Sequence, residues 1–494
     1  MNLPTPLPQR LARRTDLVKR LRKLVDDGGL IHRDEDLVVY ECDGLSAYRQ
    51  APLAVALPTS AQQVCDILRT CGDLDIPIVP WGAGTGLSGG ALPLADGIVL
   101  SLARMNRILH VDIDDRAVTV EPGVTNISVT HAVTGHGFYY APDPSSQIAC
   151  TIGGNIAENS GGVHCLKYGT TTNNLLGLQL VMADGHIVDI GSAAMERAGY
   201  DLLALFTGSE GLLGIITQAT LRILPKPQSA RALMAAFDTI AAAGGAVADI
   251  IGAGIIPAGM EIMDRLSIEA VEQFLGCGYP LGVESLLLVE VDGPEAEVDA
   301  QIAAVQDLVR AAGCTEIRQA DSPEERQRLW AGRKAAFPAM GRLSPDYYCM
   351  DGTIPRGRLP EVLERTSVLS EAYGLRVANV FHAGDGNLHP LVLYDSNAEG
   401  ELERAEELGA EILKLCVEVG GVLSGEHGIG VEKRDLMPCQ LSDDDLDLQE
   451  ELKRAFDPGL LLNPGKVYPA LRTCAEGRMH VHGGRLPFPD LERF

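Results

Sequence analysis

Three glycine-rich segments in the first half set the strongest limit on how this chain can fold: Pro80-Trp-Gly-Ala-Gly-Thr-Gly-Leu-Ser-Gly-Gly90, Thr151-Ile-Gly-Gly-Asn-Ile-Ala-Glu-Asn-Ser-Gly-Gly162 and Thr207-Gly-Ser-Glu-Gly-Leu-Leu-Gly214. Inside the first, Gly84-Thr-Gly86-Leu-Ser-Gly89 spells the dinucleotide fingerprint GxGxxG. That fingerprint acts on a pyrophosphate only when a strand precedes it, a helix opens on it and an acidic residue follows about 20 positions later. Ile76-Pro-Ile-Val79 supplies the strand, but Ala91-Leu-Pro-Leu-Ala-Asp-Gly97 puts a proline and a turn where the helix would run, and 98–102 reads as another strand. A loop of small residues between two strands can still hold phosphate by aiming successive backbone N–H groups at it. Alone, the loop has a lesser alternative reading as a tight turn without a ligand. Three such loops in one domain favour a long ligand threaded between backbone segments, because glycine permits close approach.

At 494 residues, 46% of them hydrophobic, the chain is too long for one ordinary domain. A formal charge of −26, from 67 acidic against 41 basic residues, repels nucleic acid and anionic membranes alike. No segment approaches the roughly 20 continuous apolar residues of a spanning helix, and the N-terminus lacks the plan of a signal peptide. The cytoplasm is the expected location. Eleven scattered cysteines form no CxxC, so reduced thiols are expected and a ferredoxin-like iron–sulfur ligand set is excluded.

A basic helical stretch at 17–25 reads as a docking segment. Short β-rich runs follow at 55–57, 98–102, 117–120, 178–182 and 215–224, and Leu224-Pro-Lys-Pro227 marks a boundary. Beyond it, a strand at 285–291 precedes a helix at 294–312 with Val298, Ile302, Val305, Leu308 and Val309 on one face. This second half is α+β.

Chemistry concentrates in three places. A β-run ends at His382, a Gly-Asp-Gly-Asn turn follows, and His389 opens the next run, so two imidazoles can meet across a hairpin with Asp385 and Asn387 as supports. Ser424-Gly-Glu-His-Gly-Ile-Gly430 follows an amphipathic helix whose buried face is Leu408, Ile412, Leu415, Cys416 and Val419. By itself that segment reads as a helix end followed by a solvated Glu and His. Taken together, His382, His389 and Glu426 form a two-histidine, one-carboxylate set suited to zinc, manganese or iron, which leaves His427 free as a base. In Trp330-Ala-Gly-Arg-Lys334, Arg333 can clamp a carboxylate in a bidentate pair, although an Arg-Lys pair on a helix is more often solvated surface.

These segments, with Tyr40-Glu-Cys-Asp-Gly-Leu-Ser-Ala-Tyr48, Asp143-Pro-Ser-Ser-Gln147 and Asp346-Tyr-Tyr-Cys-Met-Asp-Gly-Thr-Ile-Pro355, resemble the FAD-linked 2-hydroxyacid dehydrogenases over nearly the whole chain. That family includes the flavin-carrying subunit of bacterial glycolate oxidase, which the chain resembles, and D-lactate and D-2-hydroxyglutarate enzymes. The resemblance implies an α+β fold with a two-part FAD-binding domain of vanillyl-alcohol-oxidase type and an α+β substrate (cap) domain. The corresponding division is a helical segment at 1–52, the FAD-binding domain at 53–227, the cap at 228–440, a helical return to the flavin at 441–471 and a tail at 472–494. It implies FAD contacts at Pro80, Gly82, Gly84, Thr85, Gly86, Leu87, Ser88 and Gly89, at Pro142, Ser146, Thr151, Gly153, Gly154, Asn159 and Gly161, at Glu210, Gly211, Ile215 and Ile216, and at Asn463. The GxGxxG match is then literal but coincidental.

The same resemblance makes His382, His389 and Glu426 ligands of a divalent metal, His427 the catalytic base and Arg333 the partner of the substrate carboxylate. Cys349-Met350 stand where the 2-hydroxyglutarate branch has a lysine, which favours a short monocarboxylate such as glycolate, with D-lactate next. In glycolate oxidase this subunit works with a smaller flavoprotein-like subunit and an iron–sulfur subunit, the latter implied as the electron acceptor, and any membrane association would be peripheral, at the inner membrane, through such partners. Met479, Val481, Leu486, Phe488 and Phe494 make the tail apolar, and it is expected to dock a partner. The rival readings are a stand-alone D-lactate dehydrogenase and a non-catalytic flavin-binding scaffold.

Overall fold

The computed structural model describes residues 4–194 and 199–469, with the backbone alone at 472–473 and 479–480. The first sheet lays Leu30–Ile31, Ala54–Ala56, Ile98–Ser101 and Ile78–Trp81 side by side, the last three parallel. Helix Ala61–Asp73 makes the parallel connection. Ser60 caps it by accepting from Gln63 N, and Val64, Ile67, Leu68 and Cys71 turn inward. No helix follows the first glycine loop; the chain goes straight into Ile98–Ser101, as Pro93 and the turn at 95–97 require.

The N-terminal helix spans Arg14–Leu21 and stops short of residue 25, where Asp26-Asp27-Gly28 approaches and helix propensity fails. It docks on its own chain: Leu17 and Leu21 enter the core beside Ile67 and Leu68, Arg14 Nε donates to Leu53 O at 3.0 Å, and Arg10 pairs with Asp96.

A five-stranded antiparallel sheet completes this half in the order Ile108–Asp112, Ala117–Val120, Ile215–Arg222, Leu175–Val181 and Ile187–Gly191. The run expected at 215–224 divides, because Leu224–Pro225 leaves the sheet to pair with Phe138–Tyr139 at a proline that has no N–H to donate.

The second half is a seven-stranded antiparallel sheet, ordered Glu316–Gln319, Ser229–Phe237, Ser285–Gly293, Gly259–Asp264, Val377–His382, Pro390–Tyr394 and Asp346–Cys349. Helices cover both of its faces, so Ser285–Gly293 is buried at eight successive residues, Ser285 to Asp292. Helix Glu295–Ala311 buries Val298, Ile302, Val305 and Val309, with Leu308 only half-buried at the margin. Helix Glu401–Glu418 buries Leu408, Ile412, Leu415 and Cys416; Val419 lies one residue past its end and is half-buried.

Helix Asp443–Phe456, opened by a Ser442/Asp445 capping box, returns the chain to the first half. Ile78 N donates to Leu461 O and Asn463 N to Ile78 O, so the C-terminal segment covers the edge of the first sheet, the edge on which Pro80 is tolerated. Buried Lys453 fastens this return by donating to Leu212 O, Leu462 O and the Asp457 carboxylate, all within 2.8 Å. From residue 472 onward the description is limited to the backbone pairing of Arg472–Thr473 with Met479–His480, and the expected docking of the 472–494 tail lies outside the described residues. The ten described cysteines are free thiols, and no described helix is long and apolar enough to cross a membrane.

Replacing Lys453 by Met strands the Asp457 carboxylate and two carbonyls in the interior. The expected cost is about 3–5 kcal/mol, read as unfolding at lower urea concentration with accelerated loss of bound flavin.

Candidate active site where the two halves meet

Strand pairing places the first two groups. Gly259–Asp264 and Val377–His382 run antiparallel with Glu261 directly opposite His382, and the His382 Nδ1 lies 2.6 Å from Glu261 Oε1. The other Glu261 oxygen accepts from Arg333 Nε at 2.7 Å. Both Glu261 and Arg333 are buried. With Nδ1 engaged by a carboxylate, His382 presents Nε2 outward, the arrangement that orients metal-binding imidazoles. The Gly384-to-Asn387 turn is closed by His382 N to Asn387 O and Gly386 N to His382 O, and it returns His389 so that the two rings lie 5.2 Å apart, nearly perpendicular.

Glu426 closes the set. Its Oε1 lies 3.3 Å from His382 Nε2 and 3.1 Å from His389 Nε2, so three donor atoms of the two-histidine, one-carboxylate set converge. The donor chemistry and the second-layer Glu261 fit a divalent cation of the zinc, manganese or iron type. Burial pushes the Glu426 carboxyl up, but the two imidazoles overcome it and hold it well below the usual carboxylate range. For His382, burial opposes protonation, and the Glu261 and Glu426 carboxylates outweigh it, raising the group well above an ordinary histidine.

Glu426 and His427 are not a solvated pair after a helix end. They lie on a loop folded around Asp351, a carboxylate with no solvent exposure, which accepts from Ser424 Oγ at 2.6 Å, from the successive N–H groups of Gly425, Glu426 and His427, and from Lys433 Nζ at 3.2 Å. Burial alone would raise Asp351; the His427 ring, the Lys433 ammonium and His389 reverse this and hold it ionised. The His427 ring stacks on His389 at 4.9 Å and 12°. Burial pushes His427 down to about 4, with Asp351 only partly compensating, so it is neutral at ordinary pH and able to accept a proton.

The loop borders a cavity of about 670 Å³, in the size range of cofactor sites. Of the residues singled out in the sequence, the cavity is lined by Pro80, Gly82, Gly84, Thr85, Gly86, Leu87, Ser146, Thr151, Gly153, Gly154, Glu210, Gly211, Ile215 and Ile216, together with His389, Glu426 and His427. The glycine loops fit a threaded ligand. A Cβ on Gly86 would project into open space, and one on Gly82 would meet Thr151 Oγ1 at 2.6 Å, so the first two loops touch. Gly84, at φ +67°, leaves no room for a side chain beside the Trp81 ring.

Six expected contacts lie behind the wall instead. Ser88 O accepts from Val431 N and Glu432 N, and Gly89 packs on Val431. Pro142 O accepts from Asn126, and Asn159, at φ +54°, accepts from Thr170 and Thr172. Asn463 Nδ2 bridges Gly90 O and Glu210 O. Gly161 N donates to Glu426 Oε2 at 3.0 Å, so the second glycine loop orients the carboxylate of the histidine cluster. Arg333 is buried behind His382 and does not line the cavity, while its neighbour Lys334 does.

Sequence reading missed Glu261, Asp351 and Lys433. Glu261 lies 121 residues from His382 within a buried strand, Gly259-Met-Glu-Ile-Met-Asp264, where an acidic residue between apolar Met260 and Ile262 is itself the signal. Asp351 was legible only as part of the 346–355 segment.

Residues 52–191 match the family described as FAD binding domain, and residues 226–467 the family described as FAD linked oxidases, C-terminal domain. The glycolate oxidase subunit GlcD of Escherichia coli strain K12 is 57% identical over 97% of each chain, and that of Bacillus subtilis 39% identical over 87% of this chain and 92% of the relative. A D-lactate dehydrogenase of Archaeoglobus fulgidus is 36% identical over 84% and 90%. Among solved structures, 4-ethylphenol oxidase from Gulosibacter chungangensis superposes with a TM-score of 0.78 at 17% identity, covering 95% of this chain and 99% of its own. p-Cresol methylhydroxylase gives 0.78 at 18%, covering 94% and 98%. The fold is the two-domain FAD-binding fold of vanillyl-alcohol-oxidase type.

Gly161→Ala tests how the second loop holds Glu426, because the added Cβ would lie 2.6 Å from Glu426 Oε2. The variant is expected to keep its FAD and to take up less added zinc or manganese than the unsubstituted protein, by elemental analysis after desalting.

Proposed function

The chain belongs to the FAD-linked oxidases, and from that premise we propose that this FAD-dependent 2-hydroxyacid dehydrogenase oxidises glycolate to glyoxylate at the cavity lined by His389, Glu426 and His427. One observation carries the reading: the histidine–carboxylate cluster and the glycine loops open into a single cavity, so a substrate at the cluster lies beside the cofactor space. The relatives named as glycolate oxidase subunits, one of them 57% identical, support glycolate over D-lactate.

His382, His389 and Glu426 would hold the metal, and Arg333, although it does not line the cavity, would meet the substrate carboxylate through the guanidinium nitrogen that Glu261 leaves free. The Arg333 Nη2 is buried without a hydrogen-bond partner among the described residues, which supports a ligand there. A bound divalent ion supplies Lewis acidity that lowers the pKa of a hydroxyl. Bound FAD supplies the two-electron acceptor. His427, neutral because burial depresses it, takes the hydroxyl proton, and Asp351 holds its backbone in place. Phe337 and Pro338 form an apolar wall beside His389 and restrict the bulk that the site admits. A flavin-binding scaffold would have no use for His427 in this wall. The lack of an iron–sulfur ligand pattern, and the naming of the relatives as subunits, support onward transfer to an iron–sulfur partner subunit in a complex with a smaller flavoprotein-like subunit. Such a complex would be cytoplasmic, with membrane contact through its partners.

Anaerobic mixing with a panel of 2-hydroxy acids tests the function, read as bleaching of the flavin absorbance. Glycolate is expected to reduce the flavin fastest; efficient reduction by D-lactate with none by glycolate would overturn the substrate assignment. His427→Ala should retain FAD and slow reduction by roughly 10²–10⁴-fold. His382→Ala should lose metal and reduction together, and chelation of the wild type should reproduce that loss.

A further inference from the structure

A second cavity, of about 1020 Å³, lies between the two halves and shares Lys334 with the first. One wall is a single helix. In Pro323–Lys334, the positions facing this cavity are 323, 326, 327, 330, 331 and 334, the i, i+3, i+4 stripe of one helical face. Phe337 and Pro338, three and four residues beyond Lys334, continue that line into the first cavity beside His389. Arg333, one residue and about 100° away, faces the interior and is committed to Glu261. Lys334 is exposed and has neither a hydrogen-bond partner nor an ion pair among the described residues.

Charge gives this passage its meaning. The chain carries −26 overall, which repels any small carboxylate from most of its surface. Along the cleft, three acids are cancelled locally: Asp143 by His164 at 2.8 Å, Asp292 by Lys167 at 2.5 Å and Glu290 by Arg326 at 3.1 Å. Among the described residues, Asp321 is the one acid on this wall without an ion pair, against Lys226 and Lys334, which have none either. The cleft is therefore a non-repelling route into a repelling molecule, and its inner end carries a free cation.

We infer that the cleft between the two halves is the entry path for the anionic substrate, and that Lys334 is the positioning residue that draws the carboxylate from the cleft into the histidine-lined cavity. The inference rests on the proposed oxidation of a small 2-hydroxy acid anion and adds a route and a residue to it. Steering of this kind acts on the encounter and weakens with salt, because charges farther apart than about 8–10 Å are screened at physiological ionic strength.

The test is anaerobic stopped-flow reduction of the FAD-loaded, full-length protein by glycolate, for wild type, Lys334→Ala and Lys334→Glu. Lys19→Glu, on the exposed side of the N-terminal helix, is the control for net charge. At low ionic strength, Lys334→Glu is expected to lower the second-order rate constant at least tenfold and Lys334→Ala about threefold. Both deficits should shrink severalfold in 0.5 M salt, where the Debye length falls to about 4 Å, while the limiting rate at saturating glycolate changes less than twofold. Lys19→Glu should match wild type. Equal second-order constants for wild type and Lys334→Glu would overturn the inference, as would a loss confined to the limiting rate or one insensitive to salt. Wild-type protein that no 2-hydroxy acid reduces would instead remove the underlying functional reading, so the two failures are distinct.

Discussion

A single buried carboxylate organises the chemistry of this protein. Asp351, at the end of an edge strand of the cap sheet, accepts three consecutive backbone N–H groups, one hydroxyl and one ammonium. A charge so deeply buried is tolerated only when it is fully partnered, and satisfying it dictates the path of residues 424–427. Glu426 and His427 then project toward the cavity because their own N–H groups are turned back toward Asp351. Lys433, which also donates to Gly428 O, carries the constraint to the far end of the glycine-rich loop.

From that loop the two halves are stitched together by carboxylates of opposite origin. Glu426 from the cap side accepts from Gly161 in the flavin half, and Glu210 from the flavin half accepts from Ile429 and Gly430 on the cap side. Two reciprocal contacts over so short a stretch leave the loop little freedom to shift without moving both halves. The walls of the main cavity are thus mutually registered by hydrogen bonds that run in both directions across the junction.

The sequence foretold those parts of the structure that local chemistry decides. A proline and a turn after GxGxxG rule out a dinucleotide helix, and no helix forms there; two histidines flanking a Gly-Asp-Gly-Asn turn meet because a hairpin brings them back. What it hid depends on strand register and on helical rotation. Glu261 becomes the partner of His382 through pairing across 121 residues. Arg333 and Lys334 are adjacent letters with opposite fates, one inside an ion pair and the other exposed in a cleft, and only the orientation of their helix separates them. Likewise Ser88, Gly89, Pro142, Asn159 and Asn463, all in segments rich in ligand-binding signatures, serve the scaffold behind the wall.

The C-terminal return has a consequence for how the molecule is made. The edge strand Ile78–Trp81 receives its outer hydrogen bonds from residues 461 and 463, and Asn463 ties the first and third glycine loops together. A ribosome makes these residues nearly 400 positions after the strand they cover. The flavin half is therefore translated before the cap half but closed only after it. Until residue 463 emerges, the growing polypeptide holds an unpaired sheet edge beside an incomplete cofactor chamber, so its maturation is timed by the emergence of this return segment rather than by the order of its domains.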